Sequence, residues 1–174
     1  MTDQFQLLRD YCGQPCEGWL MSEKLDGWRI MWDGQNFITR QGNVLNAPAW
    51  FTAGLPGHAL DGELFAGRRN FNAIQGMIAN DWQGLTFQIF DAPMMDAPFR
   101  KRYAFINSLV LPDHCGIVKQ IRCNGTEHAL DIADQIVDQG GEGVVVRNPR
   151  AKYGIGRTWN VLRWVPQAPA KNRI

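Results

Sequence analysis

Between residues 19 and 40 the chain runs in short alternating stretches cut by two Asp-Gly pairs, Asp26-Gly27 and Asp33-Gly34. Alternation of period two, with Trp28, Ile30 and Trp32 set against Arg29, Met31 and Asp33, belongs to a half-buried strand, and Asp-Gly is a strong hairpin signal. The segment WLMSEKLDGWRIMWDG is therefore predicted as two strands joined across Leu25 to Gly27, with Phe37 to Arg40 as the return strand. Lys24 then falls where a strand meets a turn, so backbone geometry rather than side-chain packing positions it.

The rest of the chain reads in the same short units. Residues 3–10 are predicted as a short helix broken by the Gly and Pro of residues 13–15. A Pro- and Gly-rich passage over 47–57 leads to the strand HALDGELFAG. A short helix is expected over 70–80, and LTFQIFDAP is a strand stopped by Pro93. Residues 98–110 are helical by the spacing of Phe99, Tyr103, Ile106 and Leu109, and Pro112 ends them. GIVKQIRC reads as one strand. Thr126 to Asp138 is the clearest helix, capped by Thr126, with Ala129, Ile132, Ala133, Ile136 and Val137 on one apolar face. EGVVVRNP and WNVLRWV supply the last strands. Many strands, few helices and hairpin connections predict an α+β domain with mainly antiparallel sheets, without the regular alternation of a doubly wound fold.

At 174 residues the chain is one domain long, and 45% hydrophobic with 20% charged residues excludes disordered and collagenous classes. A net charge of +1 argues against a binder that relies on bulk positive charge. The positive residues are nevertheless clustered, at Arg68-Arg69, at Lys101-Arg102 and through Arg147, Arg150, Lys152, Arg157 and Arg163. Each cluster alone reads equally as an anion surface or as solvated turns. The four cysteines form no C-x-x-C pair and only three histidines are present, so scattered thiols rather than a structural zinc site are expected. The first residues lack a basic start followed by an apolar run, and no later stretch could span a bilayer. A reducing, cytoplasmic protein without membrane association is the expectation.

Lys24 lies between Glu23 and Asp26, ahead of Gly27. A lysine amine becomes nucleophilic once deprotonated, which desolvation or a nearby cation promotes; an ordinary lysine before a common turn accounts for the tetrad equally well. LDGELF places Asp61 and Glu63 on the same side of a strand, and Glu142 directly precedes the apolar run Val144 to Val146. Three carboxylates in strand contexts, one embedded lysine and several arginines suit a cleft for a phosphorylated, metal-bound substrate.

These motifs resemble those of the covalent nucleotidyltransferases, which comprise DNA ligases, RNA ligases and mRNA capping enzymes, and they resemble the ATP-dependent DNA ligases most. The family's K-x-D-G-x-R stands here at Lys24 to Arg29, and an arginine on the hairpin return at Arg40. LDGELF carries Glu63, FQIFD carries Phe90 and Asp91, and EGVVVR carries Glu142. The matches keep their order from residue 22 to residue 166. The resemblance implies a single adenylation domain over residues 1–174, with two mainly antiparallel sheets and flanking helices around a nucleotide cleft. It implies catalytic roles for Lys24, Asp26, Arg29 and Arg163, with Lys24 attacking the α-phosphate of ATP to form lysyl-AMP. It places Glu23, Lys24, Arg29, Glu63, Phe90, Glu142 and Arg163 around the nucleotide, Phe90 stacking on adenine and Glu63 bonding the ribose. Glu142 and Glu63 would hold Mg2+ or Mn2+, and Arg40 would take the 5′-phosphate of nicked double-stranded DNA, which a monomer then seals.

Two departures stand against the family pattern. Its final motif carries alternating lysines, whereas Arg163 and Val165 occupy those positions here; Lys152, Arg157 or Lys171 are candidates to compensate. The family's oligonucleotide-binding barrel does not follow within these residues, so the expectation is an excised domain, a naturally minimal enzyme or a protein whose missing piece comes from another chain. Weak, salt-sensitive DNA binding follows from that and from the near-neutral charge. An RNA ligase, a capping-type enzyme and a nucleotide- or DNA-end-binding module without turnover are the alternative readings.

Overall fold

A computed structural model of the chain describes residues 4–166. In chain order its strands are β1 (Gln6–Asp10), β2 (Leu20–Glu23), β3 (Trp28–Trp32), β4 (Phe37–Thr39), β5 (Val44–Leu45), β6 (Leu60–Phe65), β7 (Thr86–Asp91), β8 (Cys115–Ile117), β9 (Ile121–Arg122), β10 (Val144–Arg147) and β11 (Gly156–Trp164). The helices are α1 (Ala49–Thr52), α2 (Ile74–Ala79), α3 (Phe99–Asn107) and α4 (Thr126–Asp138), with a 3-10 turn over Phe71–Ala73.

The strands form two sheets, ordered β1-β11-β10-β2-β9 and β5-β4-β3-β6-β7-β8. Pairing is antiparallel except for β1 with β11 and β7 with β8, so the predicted α+β, mainly antiparallel class holds. The chain leaves the first sheet between β2 and β3, through Lys24 to Gly27. It returns between β8 and β9, through Val118 to Gln120.

Each sheet buries its outer face against helices. The larger core joins Ile30, Trp32, Phe37, Phe51, Leu60, Leu64, Phe87, Ile89 and Ile106, so the second sheet packs on α1, α2 and α3. The smaller core joins Met21, Ala129, Ala133, Val144, Val146 and Leu162 and seats α4 on the first sheet. Period two does the sorting: Leu60 and Leu64 enter the core, while Asp61 and Glu63 turn to the inner face, as the sequence predicted.

The seam between the sheets is polar. Arg102 of α3, 1% exposed, forms two hydrogen bonds to Asp91, at 2.6 and 3.0 Å, and donates to the Ala97 and Ala151 carbonyls. Arg147 stands 3.6 Å from the same carboxylate. Tyr153 donates to Asp61 at 2.7 Å and accepts from the Gln6 N–H, joining the sheets a second time. Of the basic clusters read as solvated turns or anion surfaces, Arg102 and Arg147 are thus buried structural charges, while Lys101 is exposed.

Three local expectations are corrected. Residues 6–10 form a strand, because β1 pairs in parallel with β11 about 150 residues away. GIVKQIRC splits into β8 and β9, one in each sheet. Helix α4 begins after Gly125 without a side-chain cap, and the Thr126 hydroxyl instead bonds Tyr11 Oη at 2.5 Å. Removing one partner of a buried ion pair leaves the other charge uncompensated, which costs about 3–5 kcal/mol. Arg102→Met is therefore expected to lower stability by about that amount in urea unfolding, whereas Lys101→Met stays within about 0.5 kcal/mol.

Candidate active site

Strand register fixes Lys24. Opposite β10, Glu23 pairs with Val144, and the next residue, Lys24, donates its backbone N–H to Gly143 O at 2.8 Å. That brings Glu142 alongside, and Lys24 Nζ is ion-paired with Glu142 Oε2. The lysine side chain is 20% exposed, half-buried but open to approach.

Gly27 serves a different purpose from the turn flexibility read from Asp-Gly. A Cβ there would stand 2.3 Å from Leu64 O and 2.7 Å from Glu63 Cγ. The missing side chain lets the crossing from β2 to β3 press onto β6, which brings Lys24 and Glu63 into one cleft.

The cleft has a volume of about 240 Å³ and lies between the sheets. Its apolar walls are Leu7, Leu8, Leu25, Phe90, Val118 and Val145. Its cations are Lys24, Arg29, Arg40, Arg147, Arg157 and Arg163, against the carboxylates of Glu23 and Glu63. A chain of net charge +1 thus concentrates positive charge at one place, which suits a polyanion such as a nucleoside triphosphate. An adjoining cleft is lined by Asp10, Tyr11, Lys24, Glu142, Arg163, Trp164 and Val165, so Lys24 and Arg163 border both.

Period two sets Phe90 on the inner face of β7, since Phe87 and Ile89 enter the core of the sheet. Asp61 of β6 faces Asp91 while Gly62 faces Ile89, leaving Phe90 as the extra residue on β7. Phe90 thus stands on the cleft lining without a partner in the ladder. The guanidinium carbons of Arg29 and Arg147 lie 5.3 and 4.9 Å from its ring centre.

Arg29 is clamped by Asp61 through bonds of 3.1 and 2.7 Å. Burial is the largest single influence and opposes its charge, but the attraction and hydrogen bonds of Asp61, with Tyr153 and Glu63, together raise its pKa. For Arg147 burial prevails over Asp91 and lowers the pKa. Burial also pushes the Glu63 carboxyl up to about 8, against the opposing pull of Arg29 and Lys24. In the free protein Glu63 is therefore largely protonated at neutral pH, able to donate as well as accept hydrogen bonds.

The other expected site residues are distributed as follows. Glu23 reaches the cleft wall with its carboxylate engaged by Arg68 at 2.8 and 2.9 Å. Asp26 does not line the cleft. Arg40 is an exposed guanidinium just after β4, on the cleft lining. Arg163 lines it too, bonded to Asp10 at 2.7 Å, and that bond holds the Asp10 carboxyl below its usual range. Of the three candidates to compensate for Val165, Arg157 lines the cleft and Lys152 is occupied with Asp96 at 2.7 Å. Lys171 lies outside the described residues.

Several lining residues were not assigned a site role from sequence: Leu7, Leu8, Val118, Val145 and Arg147. Period two in EGVVVR was the available signal for the last two, since it puts Val145 and Arg147 on the face opposite Val144 and Val146. For Leu7, Leu8 and Val118 no local signal existed, because long-range pairing and a sheet crossing place them.

Fold and cleft together define a nucleotidyltransferase of the adenylation-domain type, two sheets enclosing a cationic cleft with a lysine on its border. Comparison with known proteins narrows the class. The model of the ATP dependent DNA ligase domain family matches residues 14–164. A DNA ligase of Haemophilus influenzae is 38% identical over 169 residues, covering 93% of this chain and 63% of that protein. A solved Lig E DNA ligase, described as binding DNA with a minimal scaffold, superposes with a TM-score of 0.88 at 30% identity, covering 96% of this chain and 70% of its own. The Chlorella virus DNA ligase-adenylate shares the fold, with a TM-score of 0.74 at 18% identity over 95% of this chain and 68% of its own. The chain belongs to the ATP-dependent DNA ligase family.

A carboxyl whose pKa is raised on folding contributes stability at low pH that is lost as pH climbs through the folded value, here from about 5 to about 8. Glu63→Gln removes that dependence. The melting temperature of the variant is expected to fall less than that of the wild type between pH 6 and pH 9; equal slopes would show that Glu63 is ionised throughout.

Proposed function

We propose that the chain is the adenylation domain of an ATP-dependent DNA ligase and that Lys24 carries the adenylate. The observation behind this reading is the placement of Lys24, the only lysine on the cleft lining among the described residues, between Glu142 and a wall of arginines. The amine attacks the α-phosphate of ATP, a P–N bond forms, the bond to the bridging oxygen breaks, and pyrophosphate leaves. A covalent intermediate divides one difficult joining reaction into easier steps. AMP then passes to the 5′-phosphate of a nick, and the neighbouring 3′-hydroxyl displaces it to close the strand.

The side chains divide this work by charge and shape. Arg29, held rigid by Asp61, presents its remaining N–H donors to phosphate oxygens. Glu63 hydrogen-bonds the ribose hydroxyls, and Phe90 with Val145 supplies apolar contact for adenine. Arg163 and Arg157 take the place of the family's paired lysines, and Arg40 at the rim takes the nick phosphate. Asp26, outside the cleft lining, serves the turn and not the nucleotide.

Mg2+ or Mn2+ is the cation the family uses, and the donor set fits it. Among the described residues no group of three or more acidic, histidine or cysteine side chains converges, so a cation here relies on one or two carboxylates and the substrate phosphates, as Mg2+ commonly does. Glu142, with Glu63 second, would hold it, and it would offset charge developing on the phosphates.

The chain spans 63% of the length of its curated relative, so nick sealing by the whole protein, with or without a barrel domain or a partner chain, stands as part of the proposal. Incubation with ATP and Mg2+ followed by intact-mass measurement is expected to show an added AMP, labile to acid and absent from Lys24→Ala. No adduct, even with a barrel domain added, sinks the enzyme reading. Labelling from GTP instead of ATP, or joining of single-stranded RNA instead of nicked DNA, would move the chain to another branch of the chemistry.

A further inference from the structure

Two of the four cysteines, distant in sequence, meet in the core beneath α4. Cys16 is 1% exposed and Cys123 is fully buried; both are free thiols, and their sulfurs lie 3.4 Å apart. The scattered thiols expected from the sequence are therefore, for these two, a pair. Main-chain bonds hold the two segments together: Cys16 O accepts from the Trp19 N–H at 3.0 Å, Trp19 O accepts from the Cys123 N–H, and Cys123 O accepts from the Gly18 N–H, the last two at 2.8 Å. The sulfurs are thus brought together by backbone geometry and not by side-chain freedom. Cys12 is exposed, and its thiol turns to Asp10 O.

The location gives the pair a use. Strand β9 is the edge of the first sheet and joins β2 through two residue pairs, Leu20 with Arg122 and Met21 with Ile121. Cys16 precedes β2, whose end leads into Lys24, and Cys123 follows β9. The two cysteines are 107 positions apart, and the residues between them hold the entire second sheet and both crossings that border the cleft. We propose that Cys16 and Cys123 form a disulfide that staples the edge of the Lys24-bearing sheet and cinches the two sheet crossings.

Oxidation removes two electrons and two protons from the thiols as the S–S bond forms. A small-molecule disulfide of the glutathione type accepts both and leaves as two thiols, through a mixed-disulfide intermediate. Burial pushes the Cys123 thiol up to about 11, so the reactive thiolate is scarce once the protein is folded and exchange proceeds while the chain folds. The bond forms where folding occurs under oxidising conditions and stays open in a reducing compartment. It is independent of the adenylation chemistry.

The test is refolding of the full chain from denaturant in a buffer of reduced and oxidised glutathione. Intact mass should fall by two hydrogen atoms, and non-reducing peptide mapping should link Cys16 to Cys123. A crosslink closing so long a loop should raise the melting temperature by roughly 5–15 °C over the same protein treated with a reducing agent. Cys16→Ala should lose both the link and the reducible part of the melting temperature. Should that variant fail to fold, comparison of oxidised and reduced wild type carries the test alone. Four titratable thiols after oxidative refolding, a link made through Cys12 or Cys115, or a linked form melting no higher than the reduced one would overturn the proposal.

Discussion

The register of β2 against β10 is the constraint on which the site depends. With Glu23 opposite Val144, the bond from Lys24 N–H to Gly143 O leaves the lysine and Glu142 no choice but to be neighbours. Gly143 sits at φ +148°, and a Cβ there would fall 2.2 Å from Trp164 O, so the loop before β10 is wedged against β11. Val145 of β10 in turn faces Arg163 of β11. Three adjacent strands thereby deliver a lysine, a glutamate and an arginine to one edge, and a slip of one residue would turn every one of them to the opposite face.

The protein meets a second demand, gathering positive charge for a polyanion while remaining nearly neutral overall. It does so by sorting its arginines. Arg102 and Arg147 are buried and Arg29 half-buried near Asp61 and Asp91, whereas Arg40, Arg157 and Arg163 stay exposed on the cleft lining. Burial of so many ions is costly unless partners and hydrogen bonds satisfy them. Here Asp61 is shared between Arg29 and Tyr153, and Asp91 between Arg102 and Arg147. Glu63 shows the other resolution of the same conflict, since its carboxyl takes up a proton instead of a partner.

Much of this was legible in the sequence, and the gaps have physical causes. Period two separated Asp61 and Glu63 from Leu60 and Leu64, and the hairpin at Asp33-Gly34 ends where Arg40 begins the rim. Local pattern could not find β1, whose residues QLLRD are compatible with a helix and become a strand through pairing with β11. Nor could it split GIVKQIRC, which has no Gly or Pro between its halves; the division comes from Val118 N–H bonding to Ile89 O and Gln120 N–H to Tyr103 Oη. Phe90 was assigned to the nucleotide by resemblance, although period two in TFQIFD already sets it opposite Phe87 and Ile89; only the bulge beside it, a two-strand property, has no one-strand signature. Arg102 and Arg147 looked like their exposed neighbours since charge type carries no information about burial when the partner carboxylate is remote.

The polar seam between the sheets has a consequence for how the two halves dock. Hydrophobic burial is non-directional and scales with area, so apolar faces alone fix the orientation of two sheets less sharply than directional bonds do. A seam keyed by Tyr153 on Asp61 and by Arg102 and Arg147 on Asp91 fixes it more tightly, because each bond is lost with a small displacement or tilt. The two sheets therefore behave as halves of a mould with locating pins, and the cavity they enclose keeps its shape from contacts that lie beside it and, through Arg147, on its wall.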